Sequence, residues 1–79
     1  MAKTRREQPR RLARKLLAIR QNLGMSQTEM AKALKLEVSY TVVSGYELGT
    51  NEPNLLVLLR YARLAKVPVD NLIDDKLDI

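Results

Sequence analysis

Residues 26–49 read SQTEMAKALKLEVSYTVVSGYELG, and the fold turns on how this stretch is divided. Its first four residues, Ser26-Gln27-Thr28-Glu29, form a capping box: the Ser26 hydroxyl can accept from the backbone of Glu29, and the Glu29 carboxylate can reach back. The helix that starts there carries Met30, Ala31 and Leu34 on one face. The apolar pattern breaks across Lys35-Leu36-Glu37-Val38. Ser39 then suits the N-cap of a second helix running to about Leu48, which Gly49 would stop. The β-branched run Thr41-Val42-Val43 would suit a strand by propensity. Helix is favoured because the chain offers no second strand to pair with it.

Working outward, Leu12, Leu16, Ile19 and Leu23 recur at three- and four-residue spacing between Pro9 and Leu23, with Arg and Lys between them. That is one amphipathic helix, and Gly24 stands where a left-handed C-cap is wanted. Downstream, Thr50-Asn51-Glu52-Pro53 reads as a loop and Asn54 as the cap of a further helix. Leu55, Leu58, Leu59, Ala62 and Ala65 give that helix a core stripe, and Leu56, Val57 and Leu64 make a second side apolar. Val67-Pro68 ends it, since the residue before proline avoids the helical region. A last short helix over about Val69 to Ile73 leads into an acidic tail. The expected fold is all-α: a compact bundle of five helices with short loops. The chain divides into a basic N-terminal arm (1–9), a helical domain (10–73) and the tail (74–79).

A chain of 79 residues makes one domain near the lower end of independent stability. It has no Cys and no His, which removes disulfides, thiolate chemistry, most zinc sites and the usual general base. No nucleophile–base pair or Gly-rich phosphate loop occurs, so neither catalysis nor a cofactor is expected. Asp70, Asp74, Asp75 and Asp78 read as a solvated acidic end rather than a cation site, and no metal is expected. The longest aliphatic run, Leu55 to Leu59, is far short of the about 20 residues that span a bilayer. No apolar segment of signal-peptide type follows the basic N-terminus. A cytoplasmic protein with no membrane role is the expectation.

The net charge is +5, and its distribution says more than its size. Residues 1–20 hold Lys3, Arg5, Arg6, Arg10, Arg11, Arg14, Lys15 and Arg20 against Glu7 alone. A basic end opposite an acidic one suggests an arm or face that meets a polyanion.

Two short helices joined by a turn beside a basic segment are the skeleton of a helix-turn-helix. Arg20, Gly24, Ser26-Gln27, Ala31, Val43-Ser44, Tyr46-Glu47, Gly49 and Pro53 resemble the signature of phage repressor and Cro-like helix-turn-helix domains, the lambda-repressor-like, Xre-type family. The resemblance spans about residues 12–73. It implies a five-helix DNA-binding regulator that lays the helix over about 39–48 in the major groove of duplex DNA. It further implies that Ala31 is small where the two helices cross, that Val43 and Tyr46 face inward, and that Arg20 and Glu47 form a structural ion pair. Gln27, with Thr28 beside it, would touch a phosphate at the amino end of its helix and brace the recognition helix. Thr50 and Asn51 resemble the family's loop that bonds phosphates, and as turn formers they equally suit a plain loop. Arg5, Arg6, Arg10 and Arg11 would follow the backbone or enter a minor groove.

Ser39, Tyr40, Thr41 and Ser44, with Val42 and Gly45, form the expected reading surface. The sequence departs from the family here in two ways. The segment between Leu34 and Ser39 is about two residues longer than the usual turn, with Lys35 where Gly is expected. The recognition helix also lacks Arg, Gln and Asn, the side chains of bidentate base contacts. Thr41 and Val42 can meet a thymine methyl, and Tyr40 and Ser44 a phosphate or a base edge. A homodimer is expected, with Leu72, Ile73, Leu77 and Ile79 near its contact. The alternative is a protein-interaction module, such as an antitoxin or assembly partner, on the same scaffold, or a regulator with a protein partner.

Overall fold

A computed structural model of the chain describes residues 9–37 and 39–79. Five helices follow in order: α1 (Leu12–Asn22), α2 (Gln27–Ala33), α3 (Thr41–Leu48), α4 (Leu55–Ala65) and α5 (Asp70–Ile73). No strand occurs among the described residues, and the run Thr41-Val42-Val43 is helical. The all-α, five-helix reading of the sequence is the observed architecture.

The core is one cluster drawn from every helix. Leu12, Leu16 and Ile19 come from α1, and Met30 and Ala31 from α2 with Leu34 just beyond it. Val43 and Tyr46 of α3, Val57, Leu58, Tyr61 and Ala62 of α4, and Leu72 of α5 complete it. Tyr61 is the largest side chain with no exposure, and it meets Tyr46 edge to face with ring centroids 6.4 Å apart, a favoured aromatic geometry.

Two expectations about the core fail. Leu55 does not belong to it: it is 84% exposed, and the inward face of α4 is Val57, Leu58, Tyr61 and Ala62. The bulk of Tyr61 sets the rotation of α4 about its axis, and a stripe built on leucines and alanines overlooked it. Leu23 likewise is 38% exposed, because α1 ends before it.

The helix ends show why the chain turns where it does. At the end of α1, Gly24 has φ +70°, and the N–H groups of Met25 and Gly24 donate to the carbonyls of Arg20 and Gln21. This is a Schellman motif, and glycine suits its left-handed residue. The same pair of bonds closes α2, from Leu36 to Ala31 and from Lys35 to Lys32, with Lys35 at φ +60°. Lys35 therefore holds the position where glycine was expected. Lys66 repeats this at the end of α4 with φ +59°, so the helix stops before Val67-Pro68 rather than because of it. At the amino ends, the capping box forms as expected, with Ser26 Oγ accepting from Glu29 N–H at 3.0 Å and Glu29 Oε1 accepting from Ser26 N–H at 2.8 Å. Asn54 Oδ1 accepts from Val57 N–H at 2.9 Å to cap α4.

The start of α1 has no local cap. Its N-cap residue, Arg11, makes no side-chain capping bond, and the helix begins at Leu12 rather than near Pro9. Asp75 does the capping from the far end of the chain: its carboxylate accepts the N–H groups of Arg10 and Arg11 at 2.9 and 3.0 Å. The Arg11 guanidinium donates to the carbonyls of Asp75 and Leu77 and pairs with Asp78. Lys15, only 4% exposed, sends its ammonium to the carbonyls of Asn71 and Asp74 at 2.7 and 2.9 Å. A cation there suits the carboxyl end of α5. The acidic end is exposed but not a free solvated tail, which corrects that reading.

Candidate nucleic-acid interface

Helix α3, the recognition helix expected from the sequence, is fixed by a cluster of charge. Arg20, near the end of α1, grips Glu47 of α3 with both arms of its fork, Nε to Oε2 at 2.7 Å and Nη2 to Oε1 at 3.1 Å. Its third nitrogen, Nη1, donates to the carbonyl of Met25 at 2.9 Å. The two side chains are 17% and 5% exposed, so this is a largely desolvated pair of bidentate geometry. The bond to Glu47 raises the Arg20 pKa against the opposing effect of burial. Gln27, in the first turn of α2, donates from Nε2 to Glu47 Oε1 at 3.1 Å. Three helices therefore meet at one carboxylate.

That contact gives Gln27 a structural role which the residue pattern alone did not reveal. Thr28 beside it is exposed at the amino end of α2. Tyr61 lies deep in the same region, and burial together with the negative charge of Glu47 pushes its hydroxyl pKa well up. It stays protonated at any physiological pH.

The outer side of α3 begins at a pair of hydroxyls. Ser39 Oγ and Thr41 Oγ1 are 2.6 Å apart, and Ser39 Oγ accepts weakly from Thr41 N–H at 3.4 Å. The N-cap position is Tyr40, not Ser39, so the expected cap falls one residue further out. Tyr40 is 51% exposed, Thr41 is exposed and Ser44 half-buried. Val42, expected to face outward, packs against the core instead. Gly45, also expected outward, is buried, and the side chain of Asn51 covers it.

The loop after α3 folds back onto that glycine. The Gly45 carbonyl accepts the N–H of Thr50 at 3.0 Å, the N–H of Asn51 at 3.2 Å and the hydroxyl of Thr50 at 3.3 Å. Gly49, with φ +80°, makes the reversal. Arg10 lines a shallow hollow with Gly49, Asn51 and Pro53, which puts the start of α1 at the carboxyl edge of α3. Of the basic residues expected on DNA, Arg5 and Arg6 lie outside the described residues, and Arg11 is tied to the acidic end. The structural parts that sequence reasoning missed are Asp75, Lys15 and Arg60, whose guanidinium donates to the Leu34 carbonyl at the end of α2. Each acts across a long stretch of chain, so no local spacing marks it.

Two short helices joined by a turn and tied through Glu47 define a helix-turn-helix domain. The chain belongs to the helix-turn-helix family, whose model matches residues 16–72. It is 42% identical over 57 residues to antitoxin HigA1 of Mycobacterium tuberculosis, covering 72% of this chain and 37% of that protein. The chain thus spans little more than a third of the length of this curated relative. In fold it is similar to the P22 c2 repressor, solved in complex with a synthetic operator, at a TM-score of 0.72 and 23% identity over 81% of this chain and 94% of that one. It is also similar to the restriction-modification controller protein C.AhdI of Aeromonas hydrophila, at 0.68 and 24% over 80% and 92%. These likenesses show the fold, and the family model shows the helix-turn-helix. No helix among the described residues is long and apolar enough to cross a membrane.

Proposed function

We propose that the chain binds duplex DNA as a small transcriptional regulator, with α3 in the major groove and the amino end of α2 on the backbone. The observation that carries this reading is the Arg20–Glu47–Gln27 cluster. It fixes α3 to its neighbours while Tyr40 and Thr41 stay exposed and Ser44 half-buried. In this reading Gln27, Thr28, Ser39 and Thr50 supply phosphate contacts, Arg10 adds charge at the edge, and Arg5, Arg6 and Arg11 of the basic segment join on binding. The reading assigns the protein to the cytoplasm, with no catalysis and no cofactor.

The reading includes a homodimer on a two-fold site, whose recognition helices would stand about 34 Å apart. The apolar side chains best placed for that contact are Leu48 at 74%, Leu55 at 84% and Leu56 at 53% exposure, at the two ends of the loop that follows α3. Of the carboxyl-terminal residues expected at the contact, Leu72 is wholly buried in the chain's own core, whereas Ile73, Leu77 and Ile79 are exposed. Titration of short duplexes over a range of salt tests the reading. Binding should weaken linearly in log salt, by about 0.9 in slope for each phosphate neutralised. No binding to any duplex at low salt would sink it, and a monomer by light scattering on DNA would remove the dimer.

A second reading, an interaction module with a protein partner, is favoured by the likeness to an antitoxin and by the same exposed leucines. Retention of one defined protein after nuclease treatment, lost on Leu55→Ser with Leu56→Ser, would support it.

A further inference from the structure

Recognition helix α3, TVVSGYEL, carries no Arg, Lys, Asn or Gln, the residues that read a base edge through paired hydrogen bonds. Successive helical residues stand about 100° apart, which places Thr41, Ser44, Gly45 and Leu48 on the side opposite Val43 and Tyr46. Val43 and Tyr46 are in the core and Thr41 and Leu48 are exposed, so Gly45 belongs by position to the outer face. It is nevertheless buried. The cover is Asn51: a Cβ built at position 45 would lie 2.4 Å from Asn51 Nδ2, 2.9 Å from Cγ and 3.2 Å from Cβ. The carboxamide of Asn51 occupies the space into which a side chain at residue 45 would emerge.

We propose that Asn51 is a base-reading residue, delivered by the loop onto the middle of the recognition helix and admitted there by the missing side chain of Gly45. The inference rests on the DNA-binding reading above. Three features support it. Asn51 is exposed, and its carboxamide lies over Gly45 of the helix. Its backbone is anchored, because Thr50 and Asn51 both donate to the Gly45 carbonyl, and anchoring lowers the cost of ordering a contact. A carboxamide offers one donor and one acceptor in the spacing of adenine N7 and N6. This one lies over Gly45, in the middle of α3, while its loop borders the carboxyl edge of the helix. The base pair read is therefore A·T, at one position in each half-site.

The test is a random-sequence duplex selection followed by competition titrations, with the wild type, Asn51→Ala and Gly45→Ala, each shown to be folded by circular dichroism. The wild type should prefer A·T at one position per half-site. Asn51→Ala should lose about tenfold discrimination at that position alone, the scale of one bidentate pair, with the other positions unchanged. Gly45→Ala keeps Asn51 but displaces its carboxamide, and should alter the same position. It also improves helix propensity, so misfolding would not explain the result. Equal weakening on all sequences would make Asn51 a phosphate contact and overturn the proposal, as would an unchanged preference. A wild type that selects no duplex removes the DNA-binding reading itself, and this inference with it.

Discussion

Glu47 is the residue on which the placement of α3 depends most directly. Its carboxylate takes two bonds from Arg20 and one from Gln27 while only 5% of its side chain is exposed. A charge so placed is held by its partners, and removing one of them strands the other away from water. Arg20→Met alone should therefore cost on the order of 3 kcal/mol, and Glu47→Leu a similar amount. In a domain of this size that lowers the melting temperature by roughly 12–24 °C. The double variant Arg20→Met with Glu47→Leu should lose clearly less than the sum of the singles, because no lone charge remains. Thermal melts by circular dichroism supply all three values. Additive losses would show that the two groups do not depend on each other. This pair was legible in the sequence only through the family resemblance. Nothing in the spacing of two residues 27 positions apart declares that they meet. The third partner, Gln27, was legible as a residue of interest but not for its bond to Glu47.

At the scale of the element, what could be read in advance depended on whether the residue type advertises the backbone it adopts. Gly24 and Gly49 do, and both have the positive φ expected of helix stops. Ser26, Glu29 and Asn54 do, and their caps form. Lys35 and Lys66 do not, since lysine ordinarily prefers a right-handed helix, yet both are left-handed here. Lys35 was noticed because glycine belongs at its place in the motif, whereas Lys66 gave no sign at all. A left-handed conformation costs an L-residue with a Cβ about 1 kcal/mol. Lys66→Gly should accordingly relieve about 1 kcal/mol of backbone strain, and Lys35→Gly a similar amount, worth at most roughly 4–8 °C in melting temperature each. The gain is reduced by the greater freedom of glycine in the unfolded chain. A lower melting temperature for either variant would show that the lysine side chain makes a contact worth more than the backbone strain. The rotation of α4 is the other lesson at this scale. Leucines at helical spacing gave a plausible inner face, but Tyr61 occupies the inside and leaves Leu55 and Leu56 outside. Periodicity finds an amphipathic helix more reliably than it finds the phase when two faces are apolar.

At the scale of the whole molecule, the beginning and the end of the described chain are tied together by acids that looked like a solvated tail. Asp75 and Arg10 are 65 positions apart, and a cap supplied over that distance leaves no local mark such as the one Ser26 and Glu29 leave. The N–H groups of Arg10 and Arg11, in that order, hold the Asp75 carboxyl below the usual carboxylate range. Arg11 does the same for Asp78, first by a hydrogen bond and then by charge. Both groups have depressed pKa values in the folded state, so what they contribute is complete above the ordinary carboxylate value of about 4. It fades as pH falls through their lower folded values. The closure should therefore be intact at neutral pH and open only in acid. Amide resonances of Arg10 and Arg11 followed by NMR should shift together at a midpoint below about 4. Asp75→Asn keeps an acceptor oxygen but no charge, so it should weaken the cap at pH 7 and flatten the acid transition of these amides. Because the contacts are exposed, 1 M salt, which shortens the screening length to about 3 Å, should loosen the Arg11–Asp78 pair and leave the Arg20–Glu47 cluster closed. Amides of Arg10 and Arg11 that stay fixed in both acid and salt would mean that Lys15, buried against the carbonyls of Asn71 and Asp74, holds the end of the chain in place without the carboxylates.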